Sequence, residues 1–176
     1  MRKVEVCSYN AMWSHMFMEE ANLLKQIFNN ALIEIHHIGS TSVPELSAKP
    51  IIDMMPVVHD INRVDNFNTA MQEIGYVAKG EFGIAGRRYF YKGGDNRTHH
   101  VHIFQIGSHD ITRHLAFRDY LKCHPEAREK YGALKEKLAS QFPYDMEAYI
   151  NGKDQLVKKL ERRALEWYET NQKKKP

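Results

Sequence analysis

The sequence predicts an α/β (α+β) fold, in which helices pack on a mixed β-sheet and the C-terminal part is helical. Short runs of β-type residues lie between residues 32 and 106, one helical pattern precedes them, and helical periodicity begins near residue 110. The 176 residues are 43% hydrophobic and 27% charged, which is typical of globular proteins. We expect one domain over 1–176, with a sheet-bearing core at 1–110 and helices at 111–176.

The first half of the chain predicts a helix, two strands and a second helix. Apolar residues at helical spacing place the first helix at about residues 10–30. Strands are expected at residues 32–38 and 51–58, and the second is nearly all apolar, as in a strand covered on both faces. Asp60 is a suitable N-cap for the second helix, which Gly75 ends.

Three short strands and three helices are expected after that helix. The strands are predicted at residues 76–78, 87–92 and 98–106, and the turn sequence at 93–96 joins the last two as a hairpin. Pro125 is a typical helix start, as is Asp145. The predicted helices are residues 110–122, 125–141 and 145–170.

A polar loop follows the first predicted strand and leads to a single carboxylate. One glycine and three hydroxyl residues can present N–H and O–H donors to a phosphate, although an ordinary polar turn is the alternative. Asp53 is the lone carboxylate of an apolar strand, and a buried carboxylate needs a metal, a cation or hydrogen-bond donors beside it. The predicted phosphate-binding residues are Gly39, Ser40, Thr41, Ser42 and Lys49.

The densest histidine cluster lies on the last predicted strand. Side chains alternate along a strand, so His100 and His102 point to one face while His99 and Val101 point to the other. Two imidazoles at this spacing can ligate one metal or contact a substrate, whereas a solvated histidine pair is the alternative. We predict that Asp53, His100 and His102 are catalytic and hold one divalent metal, which would be Zn, Mn or Mg.

Four charged residues on or near the predicted hairpin complete the candidate set. Cationic side chains on adjacent stretches can receive phosphate oxygens, although isolated basic residues on hairpins mostly face solvent. These candidates are Glu81, Arg87, Lys92 and Arg97.

Several classes of protein are excluded by what the sequence lacks. Cys7 and Cys123 follow no disulfide or zinc-site spacing, and no stretch approaches the ~20 apolar residues of a membrane span. With no apolar segment behind the basic start, we expect a cytoplasmic protein without a membrane partner. The basic C-terminal part has no aromatic residue after Tyr168 for base stacking, which disfavours nucleic-acid binding. No P-loop, dinucleotide fingerprint or nucleophile elbow is present.

Long stretches of the sequence resemble the GrpB family, and they cover nearly the whole chain. The most specific are His37-Ile38-Gly39-Ser40-Thr41-Ser42-Val43-Pro44, Ala48-Lys49-Pro50-Ile51-Ile52-Asp53 and Arg97-Thr98-His99-His100-Val101-His102. Further matching stretches are Gly80-Glu81, Gly83-Ile84, Gly86-Arg87, Tyr89-Phe90, His114-Leu115, Phe117-Arg118-Asp119-Tyr120-Leu121, His124-Pro125-Glu126, Tyr131 and Leu134-Lys135.

The resemblance implies a nucleotidyltransferase-like fold and a metal-dependent site. In that superfamily a Gly-Ser turn precedes a strand with two carboxylates in an Asp-x-Asp pattern, which hold divalent metal. Gly39-Ser40 matches the turn and Asp53 the first carboxylate, but the second position is Met55, which cannot ligate a hard cation. A third carboxylate is expected on a later strand, where this chain has His100 and His102.

Three functional hypotheses follow from the residues and the resemblance. The first is metal-dependent phosphoryl or nucleotidyl transfer to an acceptor. The second is a catalytically inactive module that binds a nucleotide or another phosphorylated small molecule. The third is a helper domain for a partner protein, such as dephospho-coenzyme A kinase, to which similar domains are fused.

Overall fold

The computed structural model describes residues 2–174, and its elements follow the predicted order α β β α β β β α α α. Most boundaries lie within two residues of the prediction. The helices are α1 (Met12–Phe28), α2 (Asn68–Glu73), α3 (His109–Cys123), α4 (Pro125–Gln141) and α5 (Met146–Gln172). The strands are β1 (Leu32–Ile38), β2 (Ile52–Val58), β3 (Tyr76–Ala78), β4 (Arg87–Lys92) and β5 (His99–Gln105).

The second predicted helix is the main departure. Asp60 does cap it, because its carboxylate accepts the Asn62 N–H at 3.0 Å. However, residues Ile61–Phe67 form a 3₁₀ helix, and only the six residues of α2 are α-helical. Apolar residues recur there every third position, at 61, 64 and 67, which fits three residues per turn better than 3.6.

The five strands form one mixed sheet in the order β1-β2-β5-β4-β3. The β2–β5 pair is parallel and the other three pairs are antiparallel, including the predicted β4–β5 hairpin. Gly93 has a φ of +100° in the hairpin turn, and a Cβ there would collide with the Asn96 carbonyl oxygen. The parallel register sets Asp53 opposite His100, and the hairpin register sets Tyr89 opposite His102.

One face of the sheet is covered by α1. Phe17 of α1 stacks on His37 with the ring centroids 4.8 Å apart, and His37 pairs with Met54 in the register. Met54 and Val101 are fully buried on that face. Because side chains alternate, Asp53 and its neighbours lie on the opposite face of the same strands.

The chain divides into two compact units. The sheet-bearing unit comprises Ala11–Ile38 and Ile51–Ile111, and the helical unit comprises Met1–Asn10, Gly39–Pro50 and Thr112–Pro176. The single domain over 1–176 stays a prediction. The last change from the sheet-bearing unit to the helical unit falls after Ile111, but the segments Met1–Asn10 and Gly39–Pro50, which the sequence places in the sheet-bearing core, belong to the helical unit.

Buried apolar side chains of the helical unit form two clusters among its described residues. One contains Val43, Leu46, Ala116, Tyr120, Leu121, Tyr131, Leu160 and Ala164, and the other contains Val4, Leu138 and Tyr149. Pro125 begins α4, and Asp145 caps α5 by accepting the Ala148 N–H at 3.0 Å. Within residues 2–174, no helix is long and apolar enough to cross a membrane. Lys173 and Lys174 are exposed, and Lys175 lies outside the described residues.

Candidate functional site

Two parallel strands bring Asp53, His100 and His102 together on one face of the sheet. His102 Nε2 lies 3.1 Å from Asp53 Oδ1, and His100 Nδ1 lies 3.4 Å from the same oxygen. One ligand atom from each side chain falls within 4.8 Å of the other two. The structure therefore brings Asp53 together with both histidines, and their role as metal ligands and catalytic residues stays a prediction.

The charge state of the cluster is set by these contacts. Burial raises the pKa of Asp53, but the hydrogen bonds and charges of His100 and His102 outweigh burial and hold it well below its usual range. The Asp53 side chain is 26% exposed, so the anion can be reached from solvent. The site thus offers one carboxylate at neutral pH, flanked by two imidazoles.

Arg87 determines which nitrogen of His102 carries the proton. Its Nη1 lies 3.3 Å from His102 Nδ1, and a guanidinium can only donate. His102 Nδ1 is therefore the acceptor, and we assign the proton of the neutral ring to Nε2, which donates to Asp53. A cation bound at Nε2 would need that proton on Nδ1, so Arg87 Nη1 would have to turn away.

Arg87 is held by the loop that precedes β4. Its Nη2 donates to the Phe82 carbonyl at 2.6 Å and its Nε to the Glu81 carbonyl at 3.1 Å. The Glu81 carboxylate accepts the Gly86 N–H and so closes the same loop. Arg87 and the loop at residues 81–86 therefore form one wall of the site, beside His102. The Glu81 carboxylate orders this loop, so neither of these two predicted phosphate-binding side chains is without contacts.

Aromatic side chains outside the predicted site form the rest of this wall. The Tyr89 ring centroid lies 5.4 Å from that of His102 and 5.7 Å from that of His100, and Phe82 stacks on Tyr89. Tyr91 lies opposite His100, and the Arg97 guanidinium sits 3.3 Å from its ring centroid. The alternation of tyrosines on β4 was visible in the sequence, but their position beside the histidines depends on the register.

Lys92 does not join the other candidates of the hairpin. It follows Tyr91 on β4 and so points to the opposite face, where its Nζ lies 2.8 Å from Glu20 Oε1. Tyr76 donates to the same carboxylate at 2.9 Å. The structure thus separates Lys92 from Asp53 and pairs it with a buried glutamate, which corrects its placement among the phosphate-binding candidates.

The predicted phosphate loop belongs to the helical unit. Gly39 has φ 70° and ψ −173°, a region suited to glycine, and Ser40–Ser42 form a 3₁₀ turn in which the Ser42 hydroxyl donates to the Gly39 carbonyl. Lys49 Nζ lies 3.7 Å from Met146 Sδ and 5.3 Å from the Tyr149 ring centroid. Phosphate binding by residues 39–42 and Lys49 stays a prediction.

The donor set of the sheet face fits a cation of intermediate softness. Asp53 supplies an oxygen, His100 and His102 supply nitrogens, and His100 Nε2 is buried without a hydrogen-bond partner among the described residues. Met55, at the expected position of a second carboxylate, is fully buried and offers only a thioether. Such a mixed set suits Zn²⁺ or Mn²⁺ better than Mg²⁺, which prefers oxygen ligands.

Comparison with solved structures defines the class of the fold. The structure of Cid1 in complex with its short product ApU matches with a TM-score of 0.51 and 13% identity, over 73% of this chain and 41% of that chain. A second structure, described as the Cid1 poly(U) polymerase with MgGTP bound, also gives 0.51. The fold is therefore nucleotidyltransferase-like.

Within that class, the chain belongs to the GrpB family, because the model of the family described as GrpB protein matches residues 3–163. The crystal structure of conserved protein GrpB from Enterococcus faecalis has a TM-score of 0.90 and 47% identity, covering 93% of this chain and 99% of that one. UPF0157 protein YqkA of Bacillus subtilis is 51% identical over 94% of this chain, which spans only 48% of that relative's length. A dephospho-CoA kinase of Mycolicibacterium paratuberculosis is 26% identical over 88% of this chain and 44% of its own.

Proposed function

We propose that this chain binds one divalent cation and the phosphate groups of a nucleotide at Asp53, His100 and His102, and that it transfers a nucleotidyl or phosphoryl group to an acceptor. The observation that carries the proposal is the convergence of one carboxylate and two imidazoles on a solvent-accessible face of a nucleotidyltransferase-like sheet. A buried structural ion pair would not need two histidine nitrogens on one carboxylate oxygen.

Each residue has a distinct part in this proposal. Asp53 supplies the negative charge, His100 binds through a ring nitrogen, and His102 joins them when Arg87 Nη1 turns away from Nδ1. Arg97 adds positive charge over the ring of Tyr91, the residue that pairs with His100, and its Nε is buried without a hydrogen-bond partner among the described residues. A bound cation would supply Lewis-acid stabilisation of the negative charge on phosphate oxygens.

The proposed transfer is a substitution at phosphorus. In nucleotidyl transfer, the acceptor oxygen forms a bond to the α-phosphorus while the bond from that phosphorus to the pyrophosphate oxygen breaks. The acceptor hydroxyl loses its proton to water, and pyrophosphate leaves. Positive charge from Arg97 and the cation lowers the cost of the charge that gathers on the phosphate oxygens.

A binding module without transfer is the second candidate, and Met55 is the observation that favours it. Two-metal transfer stabilises both the attacking and the leaving oxygen, and a buried methionine cannot hold the second cation. In this case the nucleotide and its cation would bind as proposed and no pyrophosphate would be released.

The helper role and the location are also proposals. The match to a dephospho-CoA kinase supports the partner-protein hypothesis only weakly, since the two chains are 26% identical. Cys7 and Cys123 are both exposed free thiols, which supports a reducing, cytoplasmic environment.

Calorimetric titration with Mn²⁺ and a nucleoside triphosphate tests the proposal. We expect Asp53→Asn to weaken nucleotide binding by at least about 100-fold, because it removes the only anionic ligand. Asp65→Asn is the matched control, since Asp65 is a surface carboxylate of the same unit, paired with Arg88 at 2.9 Å. Equal affinities of the two variants would refute the site.

A pyrophosphate-release assay then separates the two candidate functions. Release that depends on Mn²⁺ or Zn²⁺ and is lost in Asp53→Asn supports transfer, while tight binding without release supports the binding module. The pH dependence separates metal binding from direct binding by imidazolium. Affinity that falls between pH 7.5 and 5.5, across the ordinary histidine pKa of about 6.5, indicates metal ligation, and affinity that rises indicates phosphate held by charged rings.

A further inference from the structure

A pocket of about 680 Å³ lies within the sheet-bearing unit, at the end of the sheet where β2 ends and β1 begins. The C-terminal end of α1 and the three residues after it line one side, and residues of the 59–67 segment line the other. The His59 N–H donates to the Ala31 carbonyl at 3.2 Å and so joins the two sides. The volume is in the range of small-molecule sites in proteins.

This pocket is separate from the metal site. Asp53 is the second residue of β2, and His59 follows the last residue of that strand, six positions further along the chain. At about 3.3 Å per residue, the strand places the two positions about 20 Å apart. A ligand in the pocket would therefore not contact Asp53 or a cation bound there.

Polar side chains dominate the lining of the pocket. Phe28 and Phe67 add apolar surface, with their ring centroids 5.0 Å apart. A side-chain amide both donates and accepts hydrogen bonds, and so does a hydroxyl group, so several amides around one space match a ligand with several hydroxyls. The polar lining side chains used below are Gln26, Asn29, Asn30, Arg63 and Asn66.

Arg63 gives the pocket a positive charge that the chain itself does not neutralise. Its exposed side chain makes no hydrogen bond or ion pair with any residue between 2 and 174. Asp60 is the one carboxylate among the described lining residues, and its Oδ1 accepts the Asn62 N–H at 3.0 Å instead of pairing with Arg63. A guanidinium can bind both oxygens of a carboxylate or two oxygens of a phosphate, so Arg63 favours an anionic ligand group.

Asn29 has a backbone conformation that glycine adopts more easily. Its φ is 45° and its ψ is −119°, and its N–H donates to the Lys25 carbonyl at the end of α1. A residue other than glycine in such a region costs about 1–3 kcal/mol, and these residues occur often at ligand sites. Glycine is the usual residue at this place in a helix end. The chain therefore has an amide at the pocket where stability alone favours glycine.

We propose that this pocket binds a hydroxylated small molecule that carries one anionic group. Arg63 pairs with the anionic group, which is a phosphate or a carboxylate. Asn29, Asn30 and Asn66 form hydrogen bonds with the hydroxyl groups, and the two phenylalanine rings contact the carbon skeleton. The pocket goes beyond the proposed function, since it requires neither Asp53 nor a cation.

Calorimetric titration with glucose 6-phosphate and with gluconate tests the pocket, with a chelator present and the ionic strength held constant with NaCl. Glucose is the neutral reference ligand. We expect the wild type to bind at least one of the two anionic probes about tenfold more tightly than glucose, because Arg63 has no other partner. Tighter binding of glucose 6-phosphate would identify the anionic group as a phosphate, and tighter binding of gluconate would identify it as a carboxylate.

Removing the charge of Arg63 should abolish this preference. We expect Arg63→Gln to weaken binding of the preferred probe about tenfold, which corresponds to about 1.4 kcal/mol. The Tm without ligand should not change, since the Arg63 side chain has no partner within the described chain. Lys25→Gln is the matched control, because it removes one positive charge from the last turn of α1, yet Lys25 does not line the pocket.

Asn29→Gly separates a binding role from a structural one. Glycine adopts the observed backbone conformation without strain, so we expect the Tm of this variant without ligand to equal or exceed that of the wild type. The loss of the amide should weaken binding of the preferred probe about threefold to tenfold. The same probe should then raise the Tm of the wild type more than that of Asn29→Gly.

The outcomes distinguish this proposal from the metal site. Asp53→Asn should bind the preferred probe as the wild type does, so failure of the metal site leaves the pocket intact. The proposal is overturned if the wild type binds neither anionic probe at millimolar concentration, or binds glucose as tightly as both. It is equally overturned if Lys25→Gln weakens binding as much as Arg63→Gln, or if Asn29→Gly lowers the Tm while leaving the affinity unchanged.

Discussion

The two faces of the sheet each carry a carboxylate with basic partners, but the two clusters differ in exposure and in how completely their polar atoms are hydrogen-bonded. On the face covered by α1, Glu20 Oε1 accepts from Lys92 and Tyr76, and Glu20 is only 7% exposed. On the other face, Asp53 is 26% exposed, and one of its partners, His100, keeps a ring nitrogen without a hydrogen-bond partner among the described residues.

The chemistry of the partners explains the difference. Lys92 can only donate, and Tyr76 is held as a donor because burial and the Glu20 carboxylate raise its pKa above the usual range. The Glu20 cluster is therefore closed and stabilises the fold. Imidazoles can exchange a proton for a metal, so we expect the Asp53 cluster to accept a cation without unfolding. The Glu20 cluster thus consists of groups that only donate to its carboxylate, whereas the Asp53 cluster keeps the His100 Nε2 atom without a hydrogen-bond partner among the described residues.

The largest expected effect comes from breaking the closed cluster. Glu20→Leu removes the carboxylate that pairs with Lys92, whose ammonium is partly buried. We therefore expect a loss of about 3 kcal/mol in the free energy of unfolding. Urea denaturation measures the loss, and the double variant with Lys92→Met should recover part of it. Mn²⁺ affinity at Asp53 should not change. A loss below about 0.5 kcal/mol would contradict the structural role of Glu20.

Adding a carboxylate to the open face should sharpen the contrast. Met55→Asp places a second acid two residues from Asp53 on a buried surface, so we expect a loss of about 2 kcal/mol without metal. Added Mn²⁺ or Mg²⁺ should restore part of that stability. The substitution should also raise the affinity of the site for Mg²⁺, because the new ligand is a hard oxygen. Met55→Leu controls for the loss of the thioether. Destabilisation that neither metal relieves would show that position 55 does not face the cation.

The acid stability of the protein should reflect Asp53. Its pKa is lower in the folded protein than the ordinary value of about 3.9, so its stabilisation is complete above that value and is lost as the pH falls below it. The difference in the free energy of unfolding between wild type and Asp53→Asn, measured by urea denaturation, should favour the wild type by about 1 kcal/mol at pH 7. This difference should shrink between pH 4 and pH 2. A difference that grows as the pH falls would have the wrong sign.

The smallest expected effect concerns Arg87 and the proton of His102. Arg87→Gln removes the obligatory donor at His102 Nδ1, so that the ring proton can move there and free Nε2 for a cation. We expect Zn²⁺ affinity to rise about threefold to tenfold, with some loss of stability as the Phe82 carbonyl loses its donor. Arg88→Gln, on the other face of β4, is the control. Weaker Zn²⁺ binding in Arg87→Gln would show that Arg87 supports the metal site instead of opposing it.

Local patterns in the sequence were sufficient for the order of elements and for the direction of the histidines. The alternation of a strand places His100 and His102 on one face whatever the strand pairs with, and the 3.6-residue period places the three C-terminal helices. The helix starts at Pro125 and Asp145 likewise depend on residues within one turn. The GrpB resemblance, carried by long contiguous stretches, is now confirmed by the family match.

Pairings between distant residues could not be read from such patterns. Asp53 meets His100 through a parallel register across 47 positions of sequence, and the hairpin register decides that Tyr89 faces the site while Lys92 faces Glu20.

Sequence alone therefore determined the local elements and the candidate ligands of this protein. The three-dimensional structure was needed to show which charges meet, which carboxylate has only fixed donors, and that the Tyr149 hydroxyl is buried without a hydrogen-bond partner among residues 2–174. The physical reason is that propensity and periodicity act over a few residues, whereas burial and charge pairing depend on contacts between elements far apart in the chain.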